Sequence, residues 1–171
     1  MRQEERRART FAALVEAAAA AFARSGYDGV SLDAIATAAG LSKGAVYTHF
    51  QTKLDLFLTV TSATLADATH RNARVAMAML RDDVRTAALA YLGDPSDPDH
   101  VALMAEIWRM AAEPTVRAML ESFRRDRHTV LSQAGIDAGD RPAEALARAE
   151  MAAKLIDAET LERRLLFAAG A

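Results

Sequence analysis

The sequence predicts an all-helical fold, and three observations support this. Alanine, leucine and arginine dominate the 171 residues, and all three are good helix formers. Clusters of β-branched residues are rare, and apolar residues do not alternate with polar ones over the length of a strand. The composition, 51% hydrophobic and 26% charged, is typical of a globular protein with a substantial core.

Two helices with clear boundaries are predicted at the N-terminus. The first runs from about Glu5 to Arg24, and the Ser25-Gly26 pair supplies its C-terminal stop. The second begins after Ser31, a good N-cap residue, and ends at Gly40 after about two turns. The apolar positions of the first helix recur at helical spacing and are Phe11, Leu14, Val15, Ala18, Ala21 and Phe22.

A third short helix and a longer fourth helix follow. Ser42 is expected to cap the third helix, and Thr52 with Lys53 marks the junction to the fourth. The apolar face of the fourth helix is formed by Leu54, Phe57, Leu58, Thr61 and Leu65.

The remainder of the chain predicts two loops and three further helices. The stretch GDPSDPD, 93–99, is the clearest loop, and a helix from about His100 to Ala112 follows it. The next helix begins near Pro114 and runs to about 133. A second loop is predicted over 134–142, before a final helix from about Ala143 to Phe167.

The spacing of residues on the third helix predicts two different faces. Val46 and Phe50 are four residues apart and can pack inward, whereas Lys43 with Tyr47, four residues apart, lies on the opposite face. Gly44 also lies on this outer face, where it costs the helix about 1 kcal/mol relative to alanine. We expect this glycine to allow close approach to another surface. Two short helices joined by a tight turn predict a helix-turn-helix, whose second helix enters the DNA major groove.

The residue types on this motif suit duplex DNA. Lysine donates to guanine or phosphate, while small side chains and threonine contact base edges. The tyrosine hydroxyl, the histidine and the second lysine suit phosphate oxygens, and the serines lie at helix N-termini, which attract phosphate. Residues 1–53 carry seven basic and five acidic side chains, although the net charge of the whole chain is −2. The predicted DNA-binding residues are Ser31, Ser42, Lys43, Gly44, Ala45, Tyr47, Thr48, His49 and Lys53.

The stretch SLDAIATAAGLSKGAVYTHFQTK, 31–53, resembles the DNA-binding signature of the tetracycline-repressor (TetR) family of bacterial regulators. The preceding FARSGYDGVS, 22–31, resembles the end of that family's first helix and its lead-in. The resemblance implies an all-α homodimer with an N-terminal DNA-binding domain, 1–53, and a C-terminal effector-binding and dimerisation domain, 54–171. It also implies that the partners are double-stranded operator DNA and a small-molecule effector. Positions that the family uses to contact DNA correspond to Ser31, Lys43, Ala45, Tyr47, His49 and Lys53, with Gly44 within the base-reading face.

The predicted effector pocket lies in the second domain. Small-molecule sites are mostly apolar, and methionine adapts to varied ligands. Trp108, the single tryptophan, is the strongest candidate, and its neighbour Arg109 could pair with an anionic effector or face water. Core packing is the competing interpretation for every member of this set. The candidates are Met77, Tyr91, Leu103, Met104, Ile107, Trp108, Met110 and Phe123.

A dimer interface is predicted on the helices at about 115–133 and 143–167, whose apolar faces are broader than one neighbouring helix requires. A two-fold dimer would match a palindromic operator with half-sites about one DNA turn apart. Burial within one chain is the competing interpretation. The candidate interface residues are Leu120, Phe123, Val130, Leu146, Ile156, Leu161 and Leu165.

Other chemistries find little support in the sequence. The absence of cysteine excludes disulfides, thiolate metal sites and cysteine nucleophiles. The four histidines have no i, i+4 pair, and no nucleophile elbow or phosphate-binding glycine loop occurs, so we expect no metal, no cofactor and no enzymatic activity. The charged N-terminus does not resemble a secretory signal, so we expect a cytoplasmic protein with no membrane partner. The resemblance to the TetR family implies that it is bacterial and nucleoid-associated.

The sequence therefore predicts a ligand-responsive regulator that represses transcription and is released from its operator by an effector. The alternative is a helical adaptor, or an enzyme on the same scaffold, that does not bind DNA. An adaptor would show no salt-dependent affinity for any duplex. A helical enzyme would require a convergent acid, base or metal site.

Overall fold

The computed structural model describes residues 2–79, 98–137, 139–147 and 149–150. Across these ranges the ordered elements are helices and no strand occurs, so the predicted all-helical fold is confirmed. The helices are α1 (Arg2–Ser25), α2 (Leu32–Ala38), α3 (Lys43–His49), α4 (Lys53–Met79), α5 (Pro98–Arg109) and α6 (Pro114–Asp137), with a 3₁₀ turn over Met110–Ala112 and a further helical segment over 142–147.

The first two helices end where their glycines predict. The Gly26 N–H donates to the Phe22 carbonyl at 3.0 Å, and Gly26 has a φ of 67°. Gly40 has a φ of 68° and donates to the Thr37 carbonyl at 3.0 Å. Both residues adopt the left-handed conformation that glycine tolerates best. These two turns set the lengths of α1 and α2.

The two predicted serine caps have different outcomes. The Ser31 hydroxyl accepts a hydrogen bond from the Ala34 N–H at 3.1 Å, as an N-cap should. Ser42 occupies the N-cap position of α3, as predicted, but its side chain makes no capping hydrogen bond. The Ser42 carbonyl instead accepts from the Ala45 N–H at 3.0 Å. Because Ser42 is exposed, water can satisfy its hydroxyl, and no burial forces the capping rotamer.

The chain divides into two compact units. The first comprises Met1–Thr64 and Asp97–Arg117, and the second comprises Leu65–Ser96 and Ala118–Ala171. Within the first unit α1 packs against α2, α3 and α5. The predicted functional division into 1–53 and 54–171 stays a prediction.

An aromatic cluster fills the core of the first unit. The Phe22 and Phe57 rings meet edge to face with centroids 5.1 Å apart, and both side chains are fully buried. The Tyr27 ring also meets Phe57, at 5.2 Å. Such pairs add about 0.5–1.5 kcal/mol each to the free energy of burial. Other fully buried members of this core are Leu14, Ile35, Val46, Leu56 and Val60.

One polar side chain in this core makes no hydrogen bond. Thr61 of α4 is fully buried and its Oγ1 has no partner, whereas Thr59 donates to the Asp55 carbonyl at 2.9 Å. A buried, unsatisfied hydroxyl costs about 1–3 kcal/mol. We therefore expect Thr61→Val, which keeps the side-chain shape, to raise the free energy of unfolding by about 1 kcal/mol. Chemical denaturation measures this, with Thr59→Val as the matched control that should gain nothing. A lower midpoint for Thr61→Val would contradict the assignment.

The loop predicted over 134–142 is shorter than expected, because α6 continues to Asp137 and the chain is helical again from 142. Gly135 does not end the helix. A Cβ at Gly135 would lie 2.8 Å from the Ala145 Cβ, so the glycine allows close packing of the segment that follows. The turn is made by Gly139, with a φ of 99°.

The other boundaries differ by a few residues. α1 begins at Arg2 rather than near Glu5, and its first turn contains Glu4 and Glu5, which favour a helix N-terminus. α5 begins at Pro98, so the last two residues of the predicted loop 93–99 are helical. Most of that loop, and the predicted final helix beyond 150, lie outside the described residues.

Candidate nucleic-acid interface

Helix α3 has the two faces that its residue spacing predicts. Val46 is fully buried and Phe50, just after the helix, is 4% exposed. The opposite face is open, with the Tyr47 side chain 55% exposed. Lys43, Gly44 and Thr48 are exposed beside Tyr47. We call these four residues, Lys43, Gly44, Tyr47 and Thr48, the outer face of α3.

Aromatic packing fixes the C-terminal end of α3. The Phe11 ring of α1 stacks on Phe50 with centroids 5.4 Å apart, and it meets the His49 ring at 5.9 Å. Because Phe50 is buried and His49 is half-buried, this contact restrains both the helix end and the imidazole. The outer face is therefore presented on a helix anchored from below at Val46 and from the side at Phe50.

Gly44 has open space around it. A Cβ built on this residue would meet only the Ser42 Oγ, at 4.0 Å. Nothing within this first unit therefore requires a glycine at the position, although glycine is among the poorest helix formers. The Thr48 hydroxyl donates to the Gly44 carbonyl at 2.8 Å, which keeps that side chain along the helix. The small volume at Gly44 is thus a property of the surface and not of the core.

Lys43 is paired with an acidic residue of α2. Its Nζ donates to the Asp33 Oδ2, and the two side chains are 70% and 41% exposed. This hydrogen bond and the negative charge of Asp33 raise the pKa of the Lys43 ammonium. Sequence spacing alone does not indicate this pair, because Asp33 and Lys43 lie on two different helices.

Lys53 has a structural role besides its predicted contact with phosphate. Its Nζ donates to the carbonyls of Tyr27 at 2.8 Å and Val30 at 2.9 Å. The ammonium also lies 4.3 Å from the centroid of the Tyr27 ring, at cation–π distance. Two of its three N–H groups therefore hold the α1–α2 loop. The phosphate contact stays a prediction and would use the remaining donor.

The same loop is held from a second direction by α5. Glu106, only 8% exposed, accepts a hydrogen bond from the Tyr27 backbone N–H. Its carboxylate is also bound by Arg109, through Nε at 2.8 Å and Nη2 at 2.7 Å, and Arg109 extends to Asp28 at 3.0 Å. Glu106 and Lys53 thus hold the N–H and the carbonyl of one residue, and we call Glu106, Lys53 and Tyr27 the Tyr27 clamp.

The electrostatics of the Tyr27 clamp favour the ionised form of Glu106. Burial by itself raises the pKa of Glu106, but the hydrogen bonds from Arg109 and from the Tyr27 N–H lower it, and the net shift of the pKa is downward. The pKa of Arg109 is raised, chiefly by its hydrogen bond to Glu106. Arg109 therefore does not simply face water, since two carboxylates already bind its guanidinium.

The remaining predicted DNA-binding residues lie around α3. Ser31 and Ser42 are exposed at the starts of α2 and α3, and Ala45 is half-buried on the first turn of α3. All nine predicted residues belong to the first unit. Their contact with DNA stays a prediction.

The predicted pocket and interface residues divide between the two units. In the first unit Leu103 and Ile107 are buried, and Met104, Trp108 and Met110 are half-buried. In the second unit Leu120 and Phe123 are buried within the single chain, Val130 is half-buried and Leu146 is 48% exposed. The Met77 side chain and the residues Tyr91, Ile156, Leu161 and Leu165 lie outside the described residues. Both sets stay predictions.

Two further properties concern the part of the chain that the structure describes. No group of three or more histidine, aspartate or glutamate side chains there is arranged to hold a metal ion. None of its helices combines the length and the low polarity needed to cross a bilayer.

The comparison with known families concerns the region that contains α2 and α3. Residues 14–60 match the family described as bacterial regulatory proteins, tetR family. This part of the chain is therefore similar to the N-terminal domain of the TetR family. Its α2 and α3 are the helix-turn-helix of a TetR-type DNA-binding domain, and the first unit contains the whole matched region.

Solved structures extend the likeness beyond the matched region. A transcriptional regulator from Rhodococcus is 27% identical, with a TM-score of 0.67 over 92% of this chain and 83% of that one. A protein from Mesorhizobium loti classed with TetR-family transcriptional regulators is 22% identical, with a TM-score of 0.66 over 90% and 97%. The TetR-family regulator PfmR from Thermus thermophilus is 19% identical, with a TM-score of 0.56 over 84% and 80%. No curated protein sequence matches the chain.

Proposed function

We propose that this protein is a ligand-responsive transcriptional repressor of the TetR family. It binds a palindromic operator as a homodimer and leaves the operator when a small-molecule effector binds. The observation that carries the proposal is the outer face of α3, where Lys43, Gly44 and Tyr47 are exposed above a buried anchor at Val46. Such a helix presents its N-terminal side chains to base edges in the major groove.

The dimer follows from the geometry of DNA. One α3 covers only a few base pairs, and two copies related by a two-fold axis read half-sites one helical turn, about 34–36 Å, apart. The exposed Leu146 and the half-buried Val130 of the second unit are available for such an interface. Occupation of a promoter by the dimer would exclude polymerase, and the protein would act in the cytoplasm at the nucleoid.

Effector control requires a link between the effector and α3. Five predicted pocket residues lie on α5 or on the turn after it, and the C-terminal half of α5 is hydrogen-bonded to the α1–α2 loop through Glu106. An effector that binds more tightly when α5 leaves its operator-bound position would therefore also move α2 and α3 from theirs. It releases DNA only to the extent that it binds this conformation more tightly than the operator-bound one.

The direct test is selection of duplexes from a random pool with the purified protein, followed by a screen for compounds that release the selected duplex. Sedimentation of the complex gives its stoichiometry, and two protomers per palindrome are expected. Affinity should fall steeply with salt concentration, because phosphate contacts release counterions. A protein that enriches no duplex would be the adaptor or the enzyme instead.

Two substitutions on the outer face test the assignment of its residues. Lys43→Ala should weaken operator binding about tenfold, within the 1–3 kcal/mol typical of a base-edge contact. Tyr47→Phe removes only a hydroxyl suited to phosphate, so we expect a smaller loss with little change in sequence preference. Gel-shift titration measures both. Arg125→Ala, which removes an exposed charge on α6, is the control and should bind normally. Unchanged affinity for both outer-face variants would contradict the assignment.

A further inference from the structure

Lys43 is the hydrogen-bond donor to the Asp33 carboxylate, which has fewer polar contacts than an ordinary surface carboxylate. The Asp33 Oδ2 accepts a hydrogen bond from the Lys43 Nζ, whereas the Oδ1 is buried and makes no hydrogen bond. The charge of Asp33 is therefore balanced chiefly by the one ammonium on the outer face of α3. When Lys43 contacts DNA, it must share this ammonium or leave Asp33, and sharing brings a carboxylate towards phosphate.

The strengths of the competing contacts decide the outcome. An exposed ion pair shifts an equilibrium by about fivefold or less. A single phosphate offers Lys43 a contact of similar strength, so Asp33 can retain the lysine at an arbitrary sequence. A guanine offers two acceptors, O6 and N7, and such contacts discriminate by about 5- to 150-fold. Only the guanine contact clearly exceeds the contact with Asp33.

We propose that Asp33 is a specificity-determining residue, which withholds Lys43 from phosphates at non-cognate sequences and releases it where the operator presents guanine. The inference rests on the proposed DNA-binding function and deepens it. Asp33 itself need not contact the duplex. Its effect is to lower non-specific affinity more than operator affinity.

The test compares the wild-type protein with Asp33→Asn on two duplexes, the one selected from a random pool and a scrambled one of equal length. At about 0.1 M salt, Asp33→Asn should bind the scrambled duplex roughly threefold more tightly than the wild type does. Its affinity for the selected duplex should rise by less than about 1.7-fold, which is half of that gain in free energy. On the scrambled duplex its salt dependence should also steepen, by up to about 0.9 in the log–log slope for each Lys43 that gains a phosphate.

A double-mutant cycle separates release of Lys43 from simple loss of negative charge. In the Lys43→Ala background, Asp33→Asn should change neither affinity by more than about 1.5-fold. Glu16→Gln, which removes one exposed negative charge from α1, is the charge control and should leave the ratio of the two affinities unchanged. Thermal denaturation checks folding, and Asp33→Ser replaces Asp33→Asn if the asparagine variant is unfolded.

The outcomes distinguish the inference from the function on which it rests. If the wild-type protein enriches and binds no duplex, the proposed function fails and the inference fails with it. If the wild type binds the selected duplex but Asp33→Asn gains equally on both duplexes, or on neither, the inference alone is overturned. A gain that persists in the Lys43→Ala background also overturns it, because repulsion by Asp33 would then suffice.

Discussion

Replacement of Glu106 by alanine is expected to lower the free energy of unfolding by about 2–4 kcal/mol. The carboxylate is 8% exposed and accepts hydrogen bonds from the Tyr27 N–H and from Arg109. Alanine leaves the N–H and the guanidinium without this acceptor and opens a gap beside Gly26, whose added Cβ would lie 3.3 Å from Glu106 Oε1. Urea denaturation at neutral pH measures the loss.

Two variants show which part of this loss belongs to the buried contact. Glu106→Gln keeps an oxygen that can accept from the Tyr27 N–H, so its loss should be about half as large. Asp28→Ala removes the outer partner of Arg109. Because the Asp28 side chain is 79% exposed, this substitution should cost less than about 0.5 kcal/mol. Equal losses for Glu106→Ala and Asp28→Ala would show that the clamp contributes no more than a surface ion pair.

The pH dependence supplies a second readout for Glu106. Its pKa in the folded protein is lowered, although burial opposes the shift, because Arg109 and the Tyr27 N–H bind the carboxylate. A group with a lowered folded pKa stabilises the fold above its unfolded pKa, near 4.3 for glutamate, and loses this contribution as the pH falls through the folded value. The stability difference between wild type and Glu106→Gln should therefore be full at pH 6–7 and should narrow below about pH 4.

The features predicted correctly from the sequence are those set by local chemistry. Glycine at Gly26 and Gly40 and the hydroxyl of Ser31 act within one turn of their own position, so a short window contains the whole cause. Ser42 shows the limit of this reasoning, because an exposed serine has more than one good rotamer. Gly135 shows another limit, since a glycine can end a helix or allow close packing, and only the position of Ala145 decides between them.

The site was predicted only in part for the same physical reason. The two faces of α3 follow from residues four apart, which the sequence displays directly. The contact between Glu106 and Tyr27 joins residues 79 positions apart and exists because α5 packs on α1. The ion pair between Glu106 and Arg109 was not predicted, although their spacing of three residues on one helix permits it. The sequence suggested a phosphate contact for Lys53. It does not show the hydrogen bonds of Lys53 to the α1–α2 loop, because these depend on the fold.

Substitution of Gly44 is expected to separate stability from DNA binding. A Cβ at this position meets no atom closer than the Ser42 Oγ at 4.0 Å, so Gly44→Ala should raise the free energy of unfolding by up to about 1 kcal/mol. Gly44→Leu should also fold, because its side chain would extend into open space. On DNA the added volume has nowhere to go, and overpacking costs about 1–3 kcal/mol in each protomer.

We therefore expect Gly44→Leu to weaken operator binding by about 100-fold, or about 2.7 kcal/mol, with an unfolding midpoint equal to or above that of the wild type. Fluorescence anisotropy with the selected duplex and chemical denaturation measure the two quantities on one preparation. Ala12→Leu creates the same side chain at an exposed position of α1 and should change neither. Unaltered affinity of Gly44→Leu would place this turn of α3 away from the duplex. A more stable protein that has lost its operator would instead show that the glycine is retained for close approach to DNA, at the expense of the helix that carries it.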